Sequence, residues 1–194
     1  DQMRDKLGAH PLVLQIPLGS EADFAGVIDL VRMQAVRWDD STLGLAYEFT
    51  PIPAEYDKDA KAKRTEMLES LAEINDAVME KYLADEVLGP DDLLPVIRQA
   101  TLSLDVVPVL CGSALKNKGI QLLLDGIVDF LPSPLDVAAV VGHHPESRED
   151  EIRASSDSDP FAGLAFKIRM DQGRKLTYVR VYSGTVLAGA AVYN

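Results

Sequence analysis

Residues 106–134 decide the fold of this chain and read VVPVLCGSALKNKGIQLLLDGIVDFLPSP. Residues 106–110 form an apolar run rich in β-branched side chains, which predicts a strand buried on both faces. A polar loop bounded by glycine follows at residues 111–119. The next apolar residues recur at intervals of three and four and predict one helical face: Ile120, Leu123, Leu124, Ile127, Val128 and Leu131. Pro132 ends this helix, because proline lacks an N–H and clashes with the preceding turn.

The predicted strand, loop and helix form one half of a βαβ unit. In open α/β sheets, ligands bind beyond the carboxyl ends of such strands. The loop at residues 111–118 is therefore the best single candidate for a ligand contact.

This stretch also carries a family resemblance. The GSALKNKG run at 112–119, the QLLLD run at 121–125 and the LPSP run at 131–134 resemble the last guanine-recognition motif of elongation factor G. The resemblance implies that a backbone N–H in this motif meets the guanine O6, while the serine braces the guanine-specificity loop. A backbone donor fits an oxo group and rejects the amino group of adenine. The implied guanine-binding residues are Ser113, Ala114, Leu115 and Lys116.

The other guanine-nucleotide motifs are absent from the sequence. It contains neither a Gly-x-x-x-x-Gly-Lys-Ser/Thr phosphate loop nor an Asn-Lys-x-Asp run. In the family those motifs lie upstream of the segment that begins here with Asp1, so the resemblance implies a fragment of a longer protein. It implies GTP and Mg²⁺ as cofactors of that parent GTPase, which hydrolyses GTP by in-line attack of water. We expect no catalytic residue in this chain, no cofactor bound to the fragment and no enzymatic activity from it alone.

Charge and composition exclude several classes of function. The 194 residues carry a net charge of −12, which argues against direct contact with nucleic acid, since phosphates require clusters of Lys and Arg. No apolar run approaches the roughly 18 residues that span a bilayer, and no signal peptide opens the sequence. A single cysteine fits a reducing compartment. We therefore expect a cytoplasmic protein without membrane contact.

The resemblance and the shifts in composition predict five regions. Residues 1–9 end a helix of the GTPase domain, 10–105 form the insert subdomain, 106–134 supply the last strand, guanine loop and helix of the GTPase domain, 135–159 are a linker, and 160–194 begin the barrel domain. The predicted fold class is α/β. A mixed α+β insert subdomain sits on a remnant of a P-loop GTPase domain, and the first strands of an incomplete β-barrel follow.

Within the insert region, residues 11–19, 24–30 and 33–38 are predicted strands, and the last two flank a tight connection. Residues 39–44 have the composition of a turn. Residues 53–85 give the longest helical pattern, and a second helix is expected at about 90–104.

Five acidic residues step by three and four along the polar face of the long predicted helix: Glu66, Glu69, Glu73, Asp76 and Glu80. Such a stripe is commonly a solvated helix face. However, like charges at this spacing cost helix stability, and a field complementary to a partner speeds association. The resemblance implies a partner as well, because the family's insert subdomain meets the ribosome at the basic C-terminal domain of the stalk protein.

Alternating apolar residues predict antiparallel strands at 161–170, 176–186 and 190–194. Three strands are about half of what a closed barrel of this kind needs. We expect their apolar face to be covered by a neighbouring chain, which would give self-association, or by the insert subdomain. Failing both, these strands are expected to be the most mobile part of the chain. The loop at 170–175 lacks the proline of the main family form and resembles the paralogous second form.

The adjacent His143 and His144 have no cysteine or third histidine nearby, so no metal site is predicted.

The function that the resemblance favours is that of elongation factor G, which promotes translocation of tRNA and mRNA during protein synthesis. Two alternatives stay open: a stand-alone acidic protein-interaction module, and a fragment of a related ribosomal GTPase of the release factor 3 or ribosome-protection type.

Overall fold

The computed structural model describes residues 2–144 and 147–193. The chain divides into two units between Leu131 and Pro132. The first unit contains α1 (Gln2–Leu7), β1 (Pro11–Val13), β2 (Gln15–Leu18), β3 (Gly26–Asp29), β4 (Gln34–Trp38), β5 (Tyr47–Thr50), α2 (Ala54–Ala72), α3 (Asp76–Leu83), α4 (Pro90–Leu102), β6 (Val107–Val109) and α5 (Ile120–Phe130). The second contains β7 (Val140–His143), β8 (Asp150–Arg153), β9 (Ala162–Asp171) and β10 (Arg174–Ser183).

The predicted strand at residues 11–19 is two strands in two different sheets. β1 pairs in parallel with β6, whereas β2 pairs antiparallel with β3. Leu14 lies between them and bonds to both sides: its N–H donates to the Val109 carbonyl at 3.0 Å, and its own carbonyl accepts from the Leu30 N–H at 2.9 Å. The single-strand prediction is wrong because an apolar pattern does not show where an extended segment changes partner.

A four-stranded antiparallel sheet in the order β2-β3-β4-β5 is the centre of the first unit. The β3–β4 pairing confirms the predicted strands on either side of a tight connection. Successive side chains of a strand point to opposite faces. Ile28 accordingly joins a large core with Leu71 of α2 and Ile97 of α4, whereas Val27 packs in a second cluster with Leu122 of α5. The sheet is therefore covered by helices on both faces.

The long helix predicted over residues 53–85 is also two elements. α2 ends at Ala72, and α3 begins at Asp76. Asn75 caps α3, because its side-chain oxygen accepts from the Val78 N–H at 3.0 Å. The apolar spacing runs across this break, which is why the pattern does not reveal it. Ile74, which belongs to the predicted apolar face, is 43% exposed in the connection.

β6 and α5 form where the sequence predicts them, but both differ in burial. β6 was expected to be buried on both faces, yet Val107 is 40% exposed, since β1 is the only strand paired with β6 among the described residues. The buried residues of α5 are Leu122, Gly126 and Phe130. The predicted apolar face is instead largely open to solvent: Leu123, Leu124, Ile127, Val128 and Leu131 are between 44% and 77% exposed. The helical period predicted for α5 is therefore correct, but a different face of the helix packs against the core.

The first helix follows its prediction, whereas the region after Pro134 does not. α1 ends at Leu7, before Gly8 and within the residues 1–9 that were predicted to end a helix, although Asp1 lies outside the described residues. Residues 135–159 were interpreted as a linker, but they hold an antiparallel hairpin of β7 and β8. Their acidic and polar composition gave no sign of it.

The second unit holds the antiparallel pair β9–β10, as predicted for the first two strands of this region. The third predicted strand, at 190–194, is not formed at residues 190–193, and Asn194 lies outside the described residues. On β9, Leu164, Phe166, Ile168 and Met170 are each more than half exposed, and a β-bulge between Ala165 and Lys167 interrupts the alternation of its two faces. The fold class is confirmed as mixed α/β with open sheets, none of which closes into a barrel in the described part.

Candidate functional site

The candidate site is the loop between β6 and α5. Ser113 and Lys118 close it as a small antiparallel bridge: the Ser113 N–H donates to the Lys118 carbonyl at 2.8 Å, and the Lys118 N–H donates back at 3.0 Å. Between them Ala114–Lys116 form one 3-10 turn. The loop is therefore a closed structure with its own hydrogen bonds.

Gly119 allows this closure. Its φ is +88°, a region that residues with a side chain rarely adopt, and a Cβ there would lie 2.9 Å from the Cys111 carbonyl oxygen. The two ends of the loop consequently pass in backbone contact. The first end is also tied to the central sheet, because the Cys111 N–H donates to the Gln15 side chain at 3.3 Å.

The tip of the loop is open to solvent. Ala114, Leu115 and Lys116 are exposed, and the Leu115 side chain is fully so at 100%. The N–H groups of Ala114 and Leu115 begin the 3-10 turn, where a helical turn offers no internal acceptor. Within the described residues neither N–H donates to another group. The loop therefore presents two backbone donors at an exposed tip.

Lys118, at the base of the loop, is a buried cation. Its side chain is 4% exposed, and its Nζ lies 2.7 Å from Oδ1 of Asp40, which is 83% exposed. The same Nζ donates to the Phe24 carbonyl at 3.3 Å. A buried ammonium group is tolerated when it is paired and hydrogen-bonded, so Lys118 fixes the base of the loop to Phe24 and Asp40.

Sequence reasoning placed the loop but missed its supports. Asn117, Lys118 and Gln121 all bond to residues 24–44, more than 70 positions earlier in the chain. No local pattern signals such contacts. The one available hint is Trp38, which is 6% exposed and carries an indole N–H that needs an acceptor when buried.

The five acidic residues of the predicted stripe are all exposed, but two helices share them. Glu66 and Glu69 lie on α2, Glu73 lies at its C-terminal end, and Asp76 and Glu80 lie on α3. Two of them have partners: Lys63 pairs with Glu66 at 2.7 Å, and the Tyr82 hydroxyl donates to Glu69 at 3.2 Å. The acidic surface therefore spans the α2–α3 corner instead of a single helix.

Among the residues that the structure describes, neither histidine of the second unit joins a metal-binding group. His143 pairs through Nδ1 with Asp150 at 2.7 Å. Across residues 2–144 and 147–193, no three His, Cys, Asp or Glu side chains converge as a metal site requires. In the same residues, no helix combines the length and the apolar character needed to cross a membrane.

The arrangement of elements recurs in a solved protein. A crystal structure of a protein from Thermus thermophilus superposes with a TM-score of 0.66 over 94% of this chain and 24% of that one, at 23% identity. This likeness shows a shared mixed α/β fold. No protein-family model matches the chain.

A sequence relative identifies the family. Over 192 residues, 99% of the chain, the sequence is 52% identical to Elongation factor G 2 of Syntrophus aciditrophicus (strain SB). The chain spans 28% of the length of that relative. It is therefore a homologue of elongation factor G over the segment that it covers, and the predicted family resemblance is confirmed.

Proposed function

We propose that this chain is part of a ribosome-associated translational GTPase that promotes translocation of tRNA and mRNA in the cytoplasm. The observation that carries the proposal is its 52% identity to Elongation factor G 2 over 99% of the chain. GTP and Mg²⁺ are the cofactors of the parent protein. Within the parent protein, this chain recognises the guanine base and provides a docking surface for a partner. Groups outside this chain carry out GTP hydrolysis.

Ser113, Ala114, Leu115 and Lys116 are proposed to contact the guanine base. The open backbone donors at Ala114 and Leu115 support this role, because the guanine O6 is an acceptor at the position where adenine carries an amino donor. A site built from such a donor leaves it unpaired with adenine, which costs affinity. The closed hydrogen bonding between Ser113 and Lys118 supports it further, since a donor held in place is not reorganised on binding.

The acidic surface of Glu66, Glu69, Glu73, Asp76 and Glu80 is proposed to bind the basic C-terminal domain of the ribosomal stalk protein. All five side chains reach solvent, and the chain as a whole carries a net charge of −12. Complementary charge speeds encounter and is screened by salt. The docking is accordingly expected to be fast, weak and sensitive to ionic strength.

GTP turnover by the full-length protein, measured with and without ribosomes, tests the proposal. We expect slow turnover alone and strong stimulation by ribosomes, whereas residues 1–194 alone show none. A full-length protein that binds no guanine nucleotide would contradict the proposal and favour the stand-alone interaction module. A protein that hydrolyses GTP on ribosomes without promoting translocation would instead fit the release factor 3 or ribosome-protection type.

A further inference from the structure

A turn of the insert region lies directly against the candidate loop. The turn comprises residues 39–44, and four polar contacts join it and the neighbouring Trp38 to the loop and α5. The Asn117 amide donates to the Leu43 carbonyl at 3.2 Å, and the Gln121 amide donates to the Gly44 carbonyl at 2.8 Å. The Trp38 indole N–H donates to the Gln121 oxygen at 3.0 Å. The Asp40–Lys118 ion pair described above is the fourth contact.

The approach of the two backbones is as close as glycine permits. Gly44 has a φ of +76°, and a Cβ on it would lie 2.6 Å from the Asn117 carbonyl oxygen and 2.9 Å from that of Lys116. The turn therefore touches the same peptide units that form the second half of the candidate loop. Any side chain at position 44 would push the two apart.

The turn is itself held by internal hydrogen bonds. The Asp39 side chain accepts from the Ser41 N–H at 2.8 Å, the Thr42 hydroxyl donates to the Asp39 carbonyl at 2.9 Å, and the Ala46 N–H donates to the Thr42 hydroxyl at 3.0 Å. These bonds give the turn a defined conformation of its own where it contacts the loop.

We propose that the turn at residues 39–44 holds the loop at residues 113–118 in its nucleotide-binding conformation, with Asp40, Asn117 and Gln121 as positioning residues. The inference rests on the proposed guanine-binding role of that loop. The contacts with the turn involve residues 117–121, whereas the open donors are at residues 114 and 115. The supporting side and the ligand side of the loop are therefore different, so the turn sets nucleotide affinity without touching nucleotide.

Dissociation of a fluorescent GDP analogue from the full-length protein, followed by stopped flow, tests the proposal. Asp40→Ala removes the ion pair from an exposed position, and Gln121→Leu removes both hydrogen bonds of that side chain. Each is expected to speed dissociation by about 5- to 10-fold, the effect of losing one or two partly buried polar contacts. Asp40→Glu, which keeps the carboxylate, is expected to restore slow dissociation.

Two controls separate positioning from general damage. Leu45→Ala removes a side chain that is 75% exposed next to the same turn and is expected to leave dissociation unchanged. The kcat for GTP at saturation is expected to stay near the wild-type value while KM rises, because the groups that act on the phosphates lie outside this chain. Folded Asp40→Ala and Gln121→Leu proteins that release GDP at the wild-type rate would overturn the inference. A wild-type protein with no GDP affinity would instead refute the proposed function.

Discussion

The guanidinium of Arg64 donates to the backbone carbonyl oxygen of Val31 at 3.0 Å. It also donates to the carbonyl oxygens of Leu30 and Leu88. One side chain of α2 thereby supplies hydrogen-bond donors to carbonyl oxygens in the turn after β3 and in the segment before α4. Because those carbonyls are partly buried, removing their common donor leaves acceptors without partners.

We expect Arg64→Met to lower the free energy of unfolding by about 2–4 kcal/mol, since it keeps the aliphatic stem but removes every donor. Urea unfolding followed by circular dichroism measures this. Lys63→Met is the matched control: its exposed pair with Glu66 is worth at most about 1 kcal/mol. Equal losses in the two variants would contradict the assigned role of Arg64.

Cys111 provides a prediction about pH. Burial raises the pKa of its thiol from 9.0 to about 11, so folding favours the neutral form. Below pH 9 the thiol is neutral in both the folded and the unfolded chain, and the neutral form favours the fold. As the pH rises from 9 toward 11, the thiol of the unfolded chain ionises first, so the free energy of unfolding falls. We expect alkylation by iodoacetamide at pH 8.5 to be about 100-fold slower in the folded chain than in urea, because the thiolate fraction is lower. Wild type should also lose stability relative to Cys111→Ser between pH 9 and 11. Equal alkylation rates would show that the thiol is not shielded.

Residues 1–194 alone are expected to bind neither GDP nor GTP measurably. A few contacts to the base cannot offset the entropy of association when the phosphates and Mg²⁺ have no ligands in the chain. Isothermal titration calorimetry with GDP measures this, with the far-ultraviolet circular dichroism of the same sample as evidence of folding. A micromolar dissociation constant would contradict this expectation.

The acidic surface is best tested at Glu73 and Glu80. Glu69 bonds to Tyr82 and Asp76 lies in the first turn of α3, so changes there would also affect stability. We expect Glu73→Lys with Glu80→Lys to weaken binding to the stalk protein's C-terminal domain by about 10-fold at low salt and less at high salt. Asp125→Lys with Asp157→Lys changes the net charge equally at exposed positions elsewhere and should retain binding. Unaltered affinity in the first pair would leave these residues as an ordinary solvated surface.

The exposed apolar side chains of β9 predict self-association. Phe166 and Ile168 are 61% and 60% exposed, and burying such surface is favourable by roughly 25 cal/mol per Å². Light scattering should show a mass that rises with concentration, and Phe166→Ser with Ile168→Ser should remain a monomer. Lys167→Ser, which changes the exposed polar side chain between these two residues, should behave like wild type. A wild-type chain that is monomeric at every concentration would disprove the prediction.

Periodicity in the sequence was sufficient to predict most helices and strands of this fold, but not which elements they pack against or pair with. β3, β4, α4 and α5 form where the pattern indicates, because each has a clear period and a clear end. The split of residues 11–19 and the break before Asn75 were missed, since apolar spacing continues across both. On α5 the pattern identified an apolar face correctly, yet Leu122 and Phe130 are the side chains that pack.

The candidate loop could be found from sequence because its residues are consecutive and resemble a known motif. Its supports could not be found, because Gln121 meets Gly44 and Trp38 only after the chain has folded. A polar residue on a predicted helix gives the same sequence pattern whether its side chain faces water or bonds to a distant carbonyl. Spacing along the chain carries no information about such contacts.

The pairing of Leu12 with Pro108 in the β1–β6 ladder sets an order of folding. Joining two such distant points in a disordered chain costs roughly 4 kcal/mol of loop entropy. Leu14 and Val106, however, both belong to the core built by the residues between them. Once that core has condensed, the ends that lead into β1 and β6 are already neighbours and the ladder closes with little further loss of chain entropy. Formation of this core should therefore precede formation of the strand from which the candidate loop emerges.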